Sequence, residues 1–381
     1  MIYRKLGRTA VDVGVIGLGA EHLEHAPRET LISVIDEAMD KGLNYIDLLQ
    51  ATPDVRDNLG IALQNRRHKV MIAGHLGSIL EDGQYAKSRD NTLAENYIND
   101  FLLRLKTDCI DVLMLHSVDE KDDYDNIFGP GGLLELALRL QKEGKTRFIG
   151  MSSHRTSTAL QAVNSGKIDV LMFPVNPVTD TLPTDAATFD FLEHKIYNQS
   201  EIAKQGKFSG PVELYHACAG QGVAGVAMKP YAAGVIFRDN PSSIVLTPVQ
   251  CISYALSQPG ISAVVPGCRN LAEMKAALAF LEATEEQKDY SRINLNSAWK
   301  LQGVCMYCNH CLPCPVSIDI GAITRLKDTA EYERTELITA EYEVQSAKAS
   351  DCIECGLCTE RCPFGVDVIA NMTRAAEIFS K

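Results

Sequence analysis

The sequence is poor in several things, and each shortage excludes a class. It has one tryptophan, and aromatic residues make up only 7%. Basic residues are outnumbered, 37 Lys and Arg against 49 Asp and Glu, which leaves a formal charge of −12. Capture of nucleic acid or of an anionic membrane needs basic patches, and such an acidic chain supplies few. No apolar run approaches the ~20 residues of a membrane span. The first residues, Met1 to Leu6, contain no apolar h-region, which reads as no signal peptide. The first apolar run ends Gly17-Leu-Gly19-Ala-Glu-His22 and lacks the third glycine of a G-x-G-x-x-G turn. Cytoplasmic residence in low oxygen is the expectation.

Cysteine is not scarce. Of 12 cysteines, eight form two runs near the C-terminus. The second is Cys352-x2-Cys355-x2-Cys358-x3-Cys362-Pro363, the spacing that holds a [4Fe–4S] cluster. The first, Cys305-x2-Cys308-x2-Cys311-x2-Cys314-Pro315, is one residue shorter. In two-cluster proteins the last cysteine of each run ligates the other cluster. Two [4Fe–4S] clusters are therefore expected. One would use Cys305, Cys308, Cys311 and Cys362, the other Cys352, Cys355, Cys358 and Cys314. Zinc is the plainer alternative, but it needs only two Cys pairs. Cys109, Cys218, Cys251 and Cys268 are scattered and read as small buried hydrophobes.

Residues 1–287 alternate apolar runs with amphipathic stretches eight times. Strands are expected at Val13–Gly19, Leu43–Leu49, Lys69–Leu76, Ile110–His116, Arg147–Ser152, Ile168–Val175, Ala224–Lys229 and Ile261–Val265. Helices follow each, for instance Thr92–Thr107, Leu133–Lys142 and Leu271–Ala283. Near-continuous apolar strands in eight such units argue for a closed (β/α)8 TIM barrel rather than an open doubly wound sheet. The long connection 177–210 carries Phe189, Phe191, Leu192, Ile196 and Tyr197. It reads as packing over the barrel top or as a substrate lid. Residues 288–302, with Trp299, form a joint. Residues 303–381 read as a small helical ferredoxin-like domain, with helices at Ile320–Leu326, Glu331–Ala347 and Val366–Phe379. Tyr332 and Tyr342 are expected to pack within it.

The first 283 residues carry Tyr3-Arg-Lys-Leu-Gly-Arg-Thr, Gly42-x-Asn-Tyr-Ile-Asp47, Leu59-Gly-x-Ala-Leu63 and Ile110-Asp-Val-Leu-x-Leu-His116. Further along come Ile149-Gly-Met-Ser-Ser153, Met228-Lys-Pro230 and Val264-Val-Pro-Gly-x-Arg-Asn270. This series resembles the aldo-keto reductases, in the branch with a C-terminal iron–sulfur domain. The resemblance implies carbonyl reduction by NADPH through an Asp-Tyr-Lys-His tetrad. Asp47 stands at the aspartate position and His116 at the histidine position. The tyrosine position holds Thr52 and the lysine position holds His75. Half the tetrad is thus missing. Asp47, His75 and His116 remain as the catalytic candidates, because histidine titrates in the working range. The plain alternative for each is a hydrogen-bonded strand-end residue.

For a nucleotide, the resemblance implies Ser152 beside the nicotinamide and Lys229, Gly267, Arg269 and Asn270 at the phosphates. Met172 replaces the family glutamine. NADP(H), a flavin phosphate and no nucleotide all stay open. The expected function is an iron–sulfur oxidoreductase with a degenerate tetrad. It would relay electrons between a ferredoxin or flavodoxin partner and a small-molecule substrate at the barrel mouth. The alternatives are an electron-transfer or partner-binding protein with a non-catalytic barrel, and an NADPH-dependent carbonyl reductase with structural clusters.

Overall fold

The computed structural model describes residues 1–180, 211–237, 245–291, 293, 303, 305, 307, 309–362 and 365–380. The aromatic residues of the long connection, Trp299 with most of the joint, and Cys308 lie outside the described residues.

Eight parallel strands form one sheet. They are β3 (Leu18–Gly19), β4 (Tyr45–Leu48), β5 (Met71–Leu76), β8 (Ile110–Leu115), β9 (Thr146–Ser152), β10 (Val170–Pro174), β11 (Ala224–Met228) and β12 (Ile261–Val265), neighbours in that order. Parallel bridges from Ile16 to Val264 and from Gly19 to Gly267 join the two edges and close the barrel. The expected strand Val13–Gly19 is a correction. It splits, because Asp12–Gly14 (β2) turns away to pair antiparallel with Tyr3–Lys5 (β1). An unbroken apolar run cannot show that its halves have different partners.

Inside the barrel, Tyr45, Ala73, Val112, Met114, Val170, Met172 and Val226 fill the interior, with Leu6 and Val13 beside them. A second apolar layer lies between strands and helices and continues into Ile323, Leu326 and Ile338 of the C-terminal domain. The helices sit where the 3.6-residue pattern places them. Leu133–Lys142 (α5) buries Leu133, Leu136, Ala137 and Leu140 on its inner side. Asp90 caps α3 (Asn91–Leu105) by accepting from Leu93 N.

One element is new. Between β5 and α3 an antiparallel hairpin, β6 (Ser78–Glu81) and β7 (Gln84–Lys87), rises at the C-terminal end of the barrel. Its turn residues Asp82 and Gly83 both have positive φ, 51° and 77°, as a two-residue Asp-Gly hairpin turn requires.

The C-terminal domain is helical, as expected, with helices Ile320–Tyr332, Glu336–Glu343, Leu357–Arg361 and Val368–Phe379. Tyr342 is buried and stacks on Phe379, ring centroids 3.9 Å apart. Tyr332 departs from the packing expectation and is 40% exposed, since it ends its helix on the solvent side.

Candidate active site and cluster cavities

Barrel chemistry is done at the C-terminal ends of the strands. Asp47 on β4, His75 on β5 and His116 just past β8 meet there, all buried. The register makes this inevitable, because β4, β5 and β8 are consecutive neighbours and Asp47 lies beside Ala73. His75 Nε2 is 2.9 Å from Asp47 Oδ1. His75 Nδ1 is 2.8 Å from His116 Nδ1, with the rings edge to face at 78°.

The line does not stop at His116. Its Nε2 is 2.5 Å from the hydroxyl of Tyr85, on the β6–β7 hairpin. The sequence reading missed Tyr85. The Asp82-Gly83 turn between short apolar stretches was a usable hairpin signal. Burial pushes the Tyr85 hydroxyl up to about 12. Burial, and then the neighbouring His75, hold His116 well below the usual histidine range. Thr52 stands apart, its hydroxyl donating to Glu24 at 2.6 Å.

A second polar line crosses the mouth. Lys229 Nζ is 2.7 Å from His154 Nε2, and His154 Nδ1 is 3.2 Å from Asp119 Oδ2. Burial pushes the Lys229 ammonium down to about 8. Lys229 has a φ of 49°, and the side-chain amide of Asn176 donates to its carbonyl at 3.0 Å.

The nucleotide candidates are placed unevenly. Ser152 is buried, and its hydroxyl accepts from Ser117 N at 2.8 Å. Arg269 turns its guanidinium on Glu273, at 3.0 and 2.7 Å. Asn270 caps the helix Leu271–Leu278. At Gly267 a Cβ would come within 2.6 Å of the His22 ring, so the absent side chain makes room for His22.

In the C-terminal domain, Cys314, Cys352, Cys355 and Cys358 line one cavity with Ile318, Ile320 and Met372. The last cysteine of the first run thus joins the first three of the second. Arg361 donates to Pro313 O at 2.9 Å and ties the two runs together. Cys305, Cys311 and Cys362 are partly buried. Among the described residues no three His, Cys, Asp or Glu side chains gather as for a single metal ion. A cluster asks for something else, one thiolate on each iron. Cys218, Cys251 and Cys268 are buried, as expected of scattered cysteines; Cys109 is half-buried.

The Aldo/keto reductase family pattern matches residues 14–181, and the 4Fe-4S dicluster domain pattern matches residues 304–367. Among curated relatives, the uncharacterized oxidoreductase YqkF of Bacillus subtilis is 26% identical over 74% of this chain and 93% of its own length. L-galactose dehydrogenase of Arabidopsis thaliana is 28% identical over 47% of this chain and 60% of its own. The aldo-keto reductase AKR11C1 of Bacillus halodurans, in its holo form, superposes with a TM-score of 0.56 at 21% identity. That match covers 78% of this chain and 96% of that one, a likeness of fold. The chain thus joins an aldo/keto reductase domain to a C-terminal 4Fe-4S dicluster domain.

Proposed function

We propose that this oxidoreductase acts on a small carbonyl or hydroxyl compound at the barrel mouth. Two [4Fe–4S] clusters would pass electrons between that site and an external carrier of the ferredoxin or flavodoxin class. One observation carries the reading: Asp47, His75 and His116 form an unbroken buried line at the catalytic face of a chain that also holds a dicluster domain. Bound clusters supply one-electron transfer. Cys314, Cys352, Cys355 and Cys358 would hold one of them, and Cys305, Cys308, Cys311 and Cys362 the other.

NADP(H) is the candidate hydride carrier. Lys229, Arg269 and Asn270 stand on the loops after β11 and β12, where barrels bind phosphate. Arg269 must first release Glu273, so the site is available but not preorganised.

The reading with structural clusters also has an observation in its favour. Among the described residues, helices of the C-terminal domain pack on the barrel's flank. His216 of the helix Val212–Gln221 is 2.8 Å from the Thr329 hydroxyl. Leu337 lies against Gly222, which precedes β11 and so sits at the opposite end of the barrel.

The experiment starts from anaerobically loaded protein, which should hold about eight iron and eight sulfide per chain. The clusters are reduced with dithionite, excess donor is removed, and carbonyl and hydroxyl compounds are added singly. Reoxidation by one compound, seen in visible absorbance and electron spin resonance, supports the relay. Clusters that stay reduced while NADPH is consumed leave them structural and overturn it.

A further inference from the structure

We propose that Tyr85, carried on the β6–β7 hairpin, is the catalytic residue that exchanges a proton with the substrate oxygen, in place of the tyrosine absent at position 52. The inference deepens the proposed function and rests on it.

The argument begins at the buried end. An ionised carboxylate only accepts, so Asp47 requires His75 Nε2 to carry a hydrogen. A neutral His75 then offers a lone pair at Nδ1. His116 Nδ1 must supply the hydrogen for that 2.8 Å contact. This leaves a lone pair on His116 Nε2, and the Tyr85 hydroxyl donates to it. Each link is dictated by the one before it. Tyr85 ends the line with its proton turned inward and its oxygen lone pairs free to accept from a substrate hydroxyl.

In oxidation the substrate O–H bond breaks and a phenolic O–H forms. The former phenolic proton moves to His116 Nε2, and the His116 Nδ1 proton moves to His75. One positive charge has entered and rests on His75 against Asp47. The electron pair and the carbon-bound hydrogen leave together as hydride, to the nicotinamide class of carrier named above. In reduction every link reverses, and Tyr85 presents its proton to the carbonyl oxygen. Burial keeps His116 from retaining the charge, which suits a conduit.

The placement is built into the fold. Gly77 starts the hairpin at φ 94°, and Ser88 N donates to its carbonyl at 2.9 Å. Tyr97 of α3 donates to Leu80 O at 3.0 Å. Leu80 pairs with Tyr85 across the hairpin, so this brace sets Tyr85 directly. The residue is still 50% exposed, so it is within reach of solvent and of an arriving substrate. Thr52 offers nothing comparable, being buried against Glu24.

The test is Tyr85→Phe in the iron-loaded full chain. The ring and hairpin stay, and only the hydroxyl goes. With a compound that passes the screen above, kcat should fall about 10²–10⁴-fold, the range of acid–base catalysis, with KM little changed. The wild-type solvent deuterium effect on kcat should disappear as well. Nitrogen NMR of His116 gives a readout that needs no turnover. The Nε2 resonance should move towards that of an unbonded nitrogen in the variant, while Nδ1 keeps its hydrogen. An unchanged kcat, or a His116 Nε2 resonance that does not respond, overturns the assignment. If no carbonyl or hydroxyl compound reacts with the wild type, the proposed function fails; the NMR arm still decides whether Tyr85 feeds the histidine line.

Discussion

Asp47 has no proton to give, and that one fact orders the three links beyond it. An amide at position 47 would donate to His75 instead and reverse the line. Asp47→Asn should therefore lower kcat at least as much as loss of Tyr85, by about 10²–10⁴-fold. A wrong-tautomer histidine has this effect in the serine proteases. A rate within a factor of about two of wild type, on a scale where acid–base groups supply 10²-fold or more, would mean the line carries no protons. Lys229 makes a different prediction. Its ammonium, pushed by burial down to about 8, loses its charge as pH rises through that value. If it faces a phosphate, NADPH affinity should decline across pH 7–9, and Lys229→Met should bind weakly with no such slope. A wild-type affinity flat over that range would remove Lys229 from the phosphate site. Asp47, His75 and His116 could be picked out in the sequence because they stand at the aspartate, lysine and histidine positions that the resemblance implies. Tyr85 could not, because the Asp82-Gly83 turn signals a hairpin but not where it docks, and only the contact with His116, 31 residues further on, singles Tyr85 out.

At the scale of elements, the hairpin and the end of β10 carry the predictions. At Gly77 a Cβ would meet Ser88 O at 2.7 Å, and its φ of 94° is unfavourable for any other residue. Gly77→Ala should tilt the hairpin and move Tyr85 off His116. The barrel should keep its fold and circular dichroism while turnover drops towards the Tyr85→Phe level. Turnover equal to wild type would show that the hairpin does not position the acid. Beyond β10, Asp180 is buried and accepts from Tyr215 at 3.0 Å and Tyr254 at 2.8 Å. Burial pushes its carboxyl from 3.8 up to about 7, against the pull of those hydroxyls. The folded state thus keeps a proton that the unfolded chain gives up. Stability is greatest below pH 4 for this group and falls as pH rises to about 7. At 1.36 kcal/mol per pKa unit the fall is on the order of 4 kcal/mol. Asp180→Asn keeps an acceptor for both tyrosines and removes the charge. It should raise the thermal midpoint over wild type more at pH 8 than at pH 5. An equal difference at both values would refute the account.

For the whole molecule, the question is which cluster faces the barrel. A cleft between the domains is lined by Tyr215, His216 and Tyr254 from the barrel side and by Cys305, Tyr307 and Asp328 from the other. The cavity of Cys314, Cys352, Cys355 and Cys358 is lined by residues 313–372 alone. The chain also climbs back after its last barrel helix, since Gln250, in the first turn of the helix Pro248–Ser257, donates to Asp289 O at 2.6 Å. His310 then reaches Asp289 at 3.3 Å. The first cysteine run is therefore the barrel-side one. Cys305→Ser should stop reoxidation of the remaining cluster by substrate. Cys352→Ser should spare that exchange and slow reduction by an external carrier. Two variants that lose a cluster yet turn over like wild type would make both clusters structural.

The sequence alone determined the eightfold alternation, the helical cluster domain and the cysteine spacing, because periodicity and ligand spacing are local. It also placed Thr52 and His75 where the resemblance implies a tyrosine and a lysine, since both are counted along the chain from local landmarks. Tertiary structure decided the rest. Closure of the barrel set Asp47, His75 and His116 side by side, and docking of the hairpin against Tyr97 and His116 delivered Tyr85 to their open end. Docking on the barrel's flank chose which cysteine run faces it. Each depends on contacts between segments far apart in the chain, where the physics of packing acts and no local pattern reports it.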